Sequence, residues 1–481
     1  MSKFSVYLKE LLDKRGEPIA RIAKNAGLER TSIHKALKDE RNLSYNALRQ
    51  LEQYLQLTLP QIRELNQYYE MLLQGEETYR TREAICELLS EMSQLHLTSL
   101  EPGIPLKNMS KPPEVSTLVY GRPQVEAAIS SIFLWETAQS GAELALYLPP
   151  EENVSAGLLH FWKAGRQFCV QQLVAFLPER AGGETRQENI RQLGRLLPLS
   201  LVSRGQYFSY YYFESSAAFV SIDPMPYFII TPGYLIHMDS RLSVARFETT
   251  PQVVALYRKR FSLVLSECQL LNSYSMDPAQ VLDSYMKATD QSSYYVLMAQ
   301  PCLGHYYTRE RIAQHFRPEA PDRDMLIELS DRRFERLRNL TGEYYTIFTE
   351  EGLRKFALDG ITVDLPSDLI YPVNVKVRRE MLEDFREDIA KGRIKGCIAD
   401  IERLPVPPYL TLTCDIQFGV HVYATEEFID GAYANNLHIE ECGIGQAFCS
   451  FIRSLPESKY VYPTERTLEI LDELIAGLKG Q

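Results

Sequence analysis

Residues 19–36 read IARIAKNAGLERTSIHKA, and this stretch decides the fold of the amino-terminal end. Ile19, Ile22, Ala23 and Ala26 recur at helical spacing. Pro18 stands just before them, at a helix start, where a missing N–H removes no intrahelical bond. Gly27 follows, and glycine readily supplies the left-handed backbone of a tight turn. A further helix is predicted over 29–38, with Ile33, Ala36 and Leu37 turned inward. The small Ala23 lets the two helices approach closely, while Leu28, Ile33 and Ala36 fill the angle between them. Working outward, 4–12 places Phe4, Leu8, Leu11 and Leu12 on one stripe. Ser44 is placed to cap a fourth helix that buries Leu48, Leu51 and Leu55.

This spacing, together with TSIHKALKDERNLS at 31–44, resembles the helix-turn-helix unit of the Cro/C1-type (XRE) family of bacterial transcriptional regulators. The resemblance covers about residues 4–57. It implies a sequence-specific protein whose partner is double-stranded DNA. On that resemblance Arg30, Thr31 and Lys35 occupy the outward positions that read base edges. Ser32, His34 and Lys38 lie nearby, and Arg41 is in the following loop. Arginine suits bidentate contact with guanine. Lys14, Arg15, Arg21, Lys24 and Arg41 are placed to meet phosphates, which position a protein without specifying sequence. Two positions depart from the family pattern. Ile19 stands where Gln or Thr often opens the first helix of the motif. Asp39 stands where a glycine usually follows the reading helix; Asp tolerates the left-handed conformation better than most residues. One reading helix covers little DNA, so a homodimer with half-sites ~34 Å apart is expected.

Charge agrees with that division of labour. The 481-residue chain carries −11, yet residues 1–60 hold 11 Lys/Arg against 7 Asp/Glu, so the remainder carries −15. A basic end on an acidic body is expected where one module meets phosphate and the rest does not. Apolar runs are far shorter than the ~20 residues of a membrane span. The start MSKFS lacks the apolar core of a signal peptide. The eight cysteines form no C-x-x-C pair, which predicts reduced, mostly buried thiols in a cytoplasmic protein.

Beyond residue 60 the sequence predicts a multidomain chain: the all-α module, then a large α/β (α+β) region of two units. Residues 61–98 read as a helical connector of one or two helices interrupted at Gly75. Its apolar faces (Leu65, Tyr68, Tyr69, Leu72 and Leu73; then Ile85, Leu88, Leu89, Met92 and Leu95) either pair with a second copy or pack on the chain's own body. Proline-rich 99–117 is a linker. Residues 118–275 and 285–481 form the two α/β units. Strands are predicted at 144–148, 170–177, 206–214, 217–222, 227–230 and 234–238 in the first. In the second they fall at 294–299, 344–349, 395–401, 409–414 and 419–424. Helices are predicted at 153–166, 186–197, 251–272, 308–316, 322–340, 350–359, 378–391, 441–454 and 464–479. Both units close with a helix after a Thr- or Pro-Thr start, which hints at similar architecture. The tyrosine-rich run 206–214 either lines a ligand pocket or, as alternating tyrosines more often do, packs in a core.

The eight histidines form no H-E-x-x-H, and the chain has no phosphate loop, dinucleotide fingerprint or G-x-S-x-G elbow. No catalytic residue, metal or cofactor is assigned. The leading expectation is a dimeric DNA-binding regulator whose C-terminal units sense a small-molecule effector. The alternatives are a protein-interaction scaffold with a helix-turn-helix head, and an enzyme carrying its own regulatory head.

Overall fold

The computed structural model describes residues 1–94, 112, 115–149, 152–178, 185–214, 223–275, 277, 279–280, 282, 293–363, 367–416, 419–424 and 435–479. They form two compact units, Met1–Glu83 with Thr185–Gln187, and the remainder. The chain is multidomain: an all-α amino-terminal region precedes an α+β region with two mixed sheets.

In the first unit, helices α1 (Lys3–Arg15), α2 (Ile19–Asn25), α3 (Arg30–Leu37), α4 (Tyr45–Leu55) and α5 (Leu59–Gln74) surround one core. Phe4, Leu8, Ile22, Ile33 and Leu51 are completely buried there, each side chain contributing about 1.5–3 kcal/mol by leaving water. Ser44 caps α4 as expected, accepting from the Ala47 amide at 3.2 Å. Thr58 and Gln61 form a capping box at the start of α5. The apolar face of α5 packs inside this core through Leu65 and Tyr69, whose hydroxyl donates to the Leu43 carbonyl. The helical module therefore does not end at residue 60. Gly75 (φ 86°) separates α5 from α6 (Glu76–Gln94). From Ala84 onward α6 buries Ile85, Leu88, Leu89 and Met92 in the core of the second unit. Both connector faces are thus used within the chain, except that Leu73 stays exposed and Leu95 lies outside the described residues.

The first sheet of the second unit comprises β1 (Thr117–Tyr120), β2 (Ala142–Tyr147), β3 (Phe168–Phe176), β4 (Tyr207–Phe213), β5 (Tyr227–Ile230), β6 (Leu235–Met238), β7 (Val244–Glu248) and β8 (Gln269–Leu270). Its helices are α7 (Arg122–Glu136), α8 (Glu152–Lys163), α9 (Thr185–Val202) and α10 (Pro251–Leu265). The order is β1-β7-β6-β5-β2-β3-β4-β8, with β2, β3 and β4 parallel and every other pairing antiparallel. The second sheet comprises β9 (Asn272–Ser275), β10 (Tyr294–Met298), β11 (Tyr344–Phe348), β12 (Ile394–Ile398), β13 (Leu410–Asp415), β14 (Gly419–Ala424) and β15 (Asn435–Ile439). Its helices are α11 (Arg309–His315), α12 (Arg323–Arg338), α13 (Glu350–Asp359), α14 (Val375–Ala390), α15 (Cys442–Ser454) and α16 (Thr464–Leu478). The order is β12-β11-β10-β13-β14-β15-β9.

Apart from β8, the two sheets follow one plan. Three parallel strands joined by helical crossovers are followed by three antiparallel strands and then a helix. The strand that precedes the first parallel strand closes the antiparallel edge. The similar architecture hinted at by the closing helices is a shared topology, without a visible sequence repeat.

Several sequence expectations change. The helix expected over 251–272 stops at Leu265, because Gln269–Leu270 pairs with β4 and Asn272–Ser275 pairs with β15. β9 lies inside the first expected unit yet belongs to the second sheet. Strands β1, β7 and β15 and helix α7 were not predicted, and the strand expected at 217–222 lies outside the described residues, as does most of the linker. The tyrosines of β4 are core residues: Tyr207 and Tyr211 are buried on one face, while Tyr210 and Tyr212 pack beneath α10 on the other. All eight cysteines are thiols; four are buried, and Cys169 and Cys442 are exposed. Among the described residues no helix is long and apolar enough to cross a membrane.

Candidate nucleic-acid interface

Helices α2 and α3 are held by the contacts the sequence implies. Gly27 takes a φ of 72°, and the Leu28 amide donates to the Ala23 carbonyl at 2.8 Å. Ala23, Ile33 and Ala36 are buried where the helices meet. That burial fixes which side of α3 faces outward. Arg30, Thr31 and Lys35 are exposed on it, and Ser32 and His34 are half-buried beside them. Arg21 and Lys24 are exposed on α2, as are Lys38 and Arg41 beyond α3 and Lys14 and Arg15 at the end of α1.

The polar contacts of Arg30, Thr31, Lys38 and Arg15 are local and solvent-facing. Arg30 Nε donates to His34 Nε2 at 3.2 Å, one helical turn along. Thr31 Oγ1 donates to Glu29 at 3.4 Å, Lys38 lies 3.9 Å from Glu40, and Arg15 pairs with Glu17 at 3.0 Å. Exposed pairs of this kind are worth little, so exchanging them for phosphate or base contacts costs little. Among the described residues Lys14, Arg21, Lys24, Lys35 and Arg41 form no ion pair within 4 Å. The face is a band of available cations over a rigid apolar floor, suited to a polyanion.

The two departures from the family pattern have different outcomes. Ile19 is half-buried and packs on the apolar core, so its side chain is spent on packing. Asp39 takes the left-handed conformation, φ 58°. It also does something the sequence reading missed. Its carboxylate accepts from the Ser2 amide at 2.6 Å, the Ser2 hydroxyl at 2.6 Å and the Ser5 hydroxyl at 3.2 Å. Partial burial acts against ionisation here, but those hydrogen bonds prevail and hold the carboxyl below its usual range. The available signal was an aspartate at a glycine position, together with two serines at the start of α1.

A second feature lies in the α+β unit. A cleft of about 1220 Å³ opens between α11, α14 and the end of α12. Charges in it pair with one another, Arg311 with Glu380 at 2.8 Å and Arg393 with Asp388, and the Tyr306 hydroxyl donates to Asp388 at 2.8 Å. Asp384, which forms no ion pair among the described residues, is pushed up by burial, Arg311 opposing and the Asp388, Glu387 and Glu380 carboxylates reinforcing. Among the described residues no three of His, Cys, Asp and Glu are placed to hold a metal.

No family model matches the chain, and no curated protein matches it. Among solved structures, TrmBL2, described as an archaeal chromatin protein showing a novel mode of DNA binding, is similar at 13% identity over 44% of this chain and 72% of its own, with a TM-score of 0.22. Polyphosphate kinase from Porphyromonas gingivalis is similar at 9% identity over 76% of this chain and 56% of its own, with a TM-score of 0.20. Phosphatidylserine synthase from Haemophilus influenzae Rd KW20 is similar at 7% identity over 77% and 95%, with a TM-score of 0.23. Likenesses of this size carry no argument about fold or activity, so function rests on the chain's own residues.

Proposed function

We propose that this chain is a sequence-specific DNA-binding transcriptional regulator of the Cro/C1 type, acting on double-stranded DNA as a homodimer. The observation that carries the reading is the two-sided α3. Ile33 and Ala36 lock one side into the core, while Arg30, Thr31 and Lys35 stand exposed on the other, flanked by Arg21, Lys24, Lys38 and Arg41. Arg30 and Lys35 carry base reading and the flanking cations carry phosphate contact. Ser32 and His34 border the reading surface. In this reading the acidic α+β region decides when DNA is bound. The cleft lined by Tyr306, Arg311 and Glu380 is its candidate effector site. A ligand switches the protein only by binding its DNA-competent and incompetent states unequally.

A protein-interaction role for the same region is favoured by one feature. On α10, Leu256 and Leu263 are 64% and 53% exposed, two turns apart on the same side. A mobility-shift assay with the full chain and promoter DNA from upstream of its own gene tests the DNA reading. Arg30→Ala combined with Lys35→Ala is expected to weaken binding by at least ~10-fold, since a good base contact alone is worth about 1–3 kcal/mol. Unchanged affinity would remove α3 as the reading helix.

A further inference from the structure

We propose that the Asp39 carboxylate is a positioning residue for DNA reading: it ties the turn after α3 to the first turn of α1 and so fixes where Arg41 meets the phosphate backbone. This rests on the DNA-binding reading of α3 and deepens it.

The backbone at Asp39 is left-handed, with φ 58°, where glycine is the least strained choice. The turn itself is closed by main-chain bonds that any residue would make: the Asp39 amide to the Ala36 carbonyl at 3.2 Å, and the Glu40 amide to the Lys35 carbonyl at 2.9 Å. The aspartate side chain therefore adds nothing to the turn. What it adds is long-range. Its two oxygens accept two hydrogen bonds at 2.6 Å from Ser2, 37 positions earlier in the chain; the Ser5 hydroxyl, 3.2 Å away, shares its single proton between Asp39 and the Ser2 carbonyl at 3.0 Å, and the Met1 ammonium lies 3.8 Å off. Bonds to an ionised acceptor are the strong ones. The Ser2 hydroxyl works in both directions: it accepts from the Ser5 amide at 3.0 Å, capping α1, and donates to Asp39. The carboxylate thus also lies at the positive end of the α1 dipole. Ser5 is completely buried, so the first turn of α1 is seated in the core of the head. Arg41, exposed two residues beyond Asp39, stands on the segment that the clamp holds.

The test uses the full chain and a labelled duplex selected by the wild-type protein from a random pool, titrated at several salt concentrations. The variants are Asp39→Gly, Asp39→Asn, Arg41→Ala and the Asp39→Gly/Arg41→Ala double variant. Asp39→Gly frees the turn of left-handed strain, so its melting temperature stays within a few degrees of wild type. Its affinity falls about 10-fold and its salt slope loses about 0.9, the signature of one phosphate contact. Asp39→Asn, which keeps an acceptor, falls between wild type and Asp39→Gly. The double variant binds no more weakly than Arg41→Ala alone. Wild-type affinity in Asp39→Gly overturns the proposal, as does a loss that leaves the salt slope unchanged and adds fully to that of Arg41→Ala. A collapse of the head's melting transition in Asp39→Gly also overturns it, because the carboxylate is then a brace for the fold. A wild-type chain that selects no duplex overturns the DNA reading itself, a result distinct from these.

Discussion

Mild acid should weaken the α+β unit through its buried histidines. His315, at the end of α11, is 8% exposed. Its Nε2 lies 3.2 Å from the Thr362 hydroxyl, and its ring packs near Tyr307. Burial takes its pKa from the ordinary 6.5 down to about 4. The folded state therefore refuses a proton that the unfolded chain accepts. Above pH 6.5 neither state is charged and nothing is lost. Between pH 6.5 and 4, stability falls by about 1.4 kcal/mol per pH unit, or about 2 kcal/mol by pH 5. His421 on β14, taken down to about 3 by burial, with His438 beside it reinforcing, adds a loss of the same sign. The pair accounts for about 4 kcal/mol at pH 5, a large share of a typical 5–15 kcal/mol. Urea midpoints at pH 7 and pH 5, at constant ionic strength, measure this above most of the carboxylate range. His315→Gln should remove about half of the pH-dependent loss, whatever it does to stability at pH 7. A wild-type midpoint unchanged between the two pH values would refute the reasoning, as would His315→Gln retaining the full wild-type pH dependence.

Other consequences test the scaffold. A Cβ at Gly352 would stand 2.0 Å from the Ala299 carbonyl oxygen, so Gly352→Ala should abolish the folded α+β unit, read as loss of its cooperative melting transition. Gly157, within α8, has open space around it and no unusual φ; Gly157→Ala should raise the melting temperature, alanine being favoured in helices by about 1 kcal/mol. Ser44→Ala removes the α4 cap and should cost the head about 1 kcal/mol in chemical denaturation. Ile33→Ala opens a cavity under α3, where Ile33 is completely buried. It should cost about 2–5 kcal/mol, with DNA affinity lost only as the head unfolds.

Local signals were legible in the sequence wherever one residue's chemistry sufficed. Ser44 as a cap, Gly27 and Asp39 in left-handed turns, Gly75 as a break and Ile33 in the core follow from short-range pattern. Several strands matched almost to the residue, since 227–230 and 419–424 are apolar runs between turn signals. What escaped depends on distant partners. Gln269–Leu270 continues a helical pattern but is a strand because β4 offers an edge, and Asn272–Ser275 because β15 does. The faces of α5 and α6 looked equally suited to a second copy or to the chain's own body, and only the packing of Tyr69 and Leu88 decides that. At the site, the outward cations were readable from helix phase. The Ser2–Asp39 clamp was not, because 37 residues separate its ends. Beyond the Thr- or Pro-Thr starts of the closing helices, the shared plan of the two sheets left no sequence repeat, because topology is kept by burial pattern and turn position, not by residue identity.

The central claim is that α3 reads sequence. Its most direct test is the affinity of the full chain for a duplex selected from a random pool, relative to a scrambled duplex of the same composition, at one physiological salt concentration. The account predicts a preference of at least ~10³-fold, falling sharply when Arg30 and Lys35 are both alanine. Equal affinity for the two duplexes, or a preference untouched by that double substitution, would contradict it.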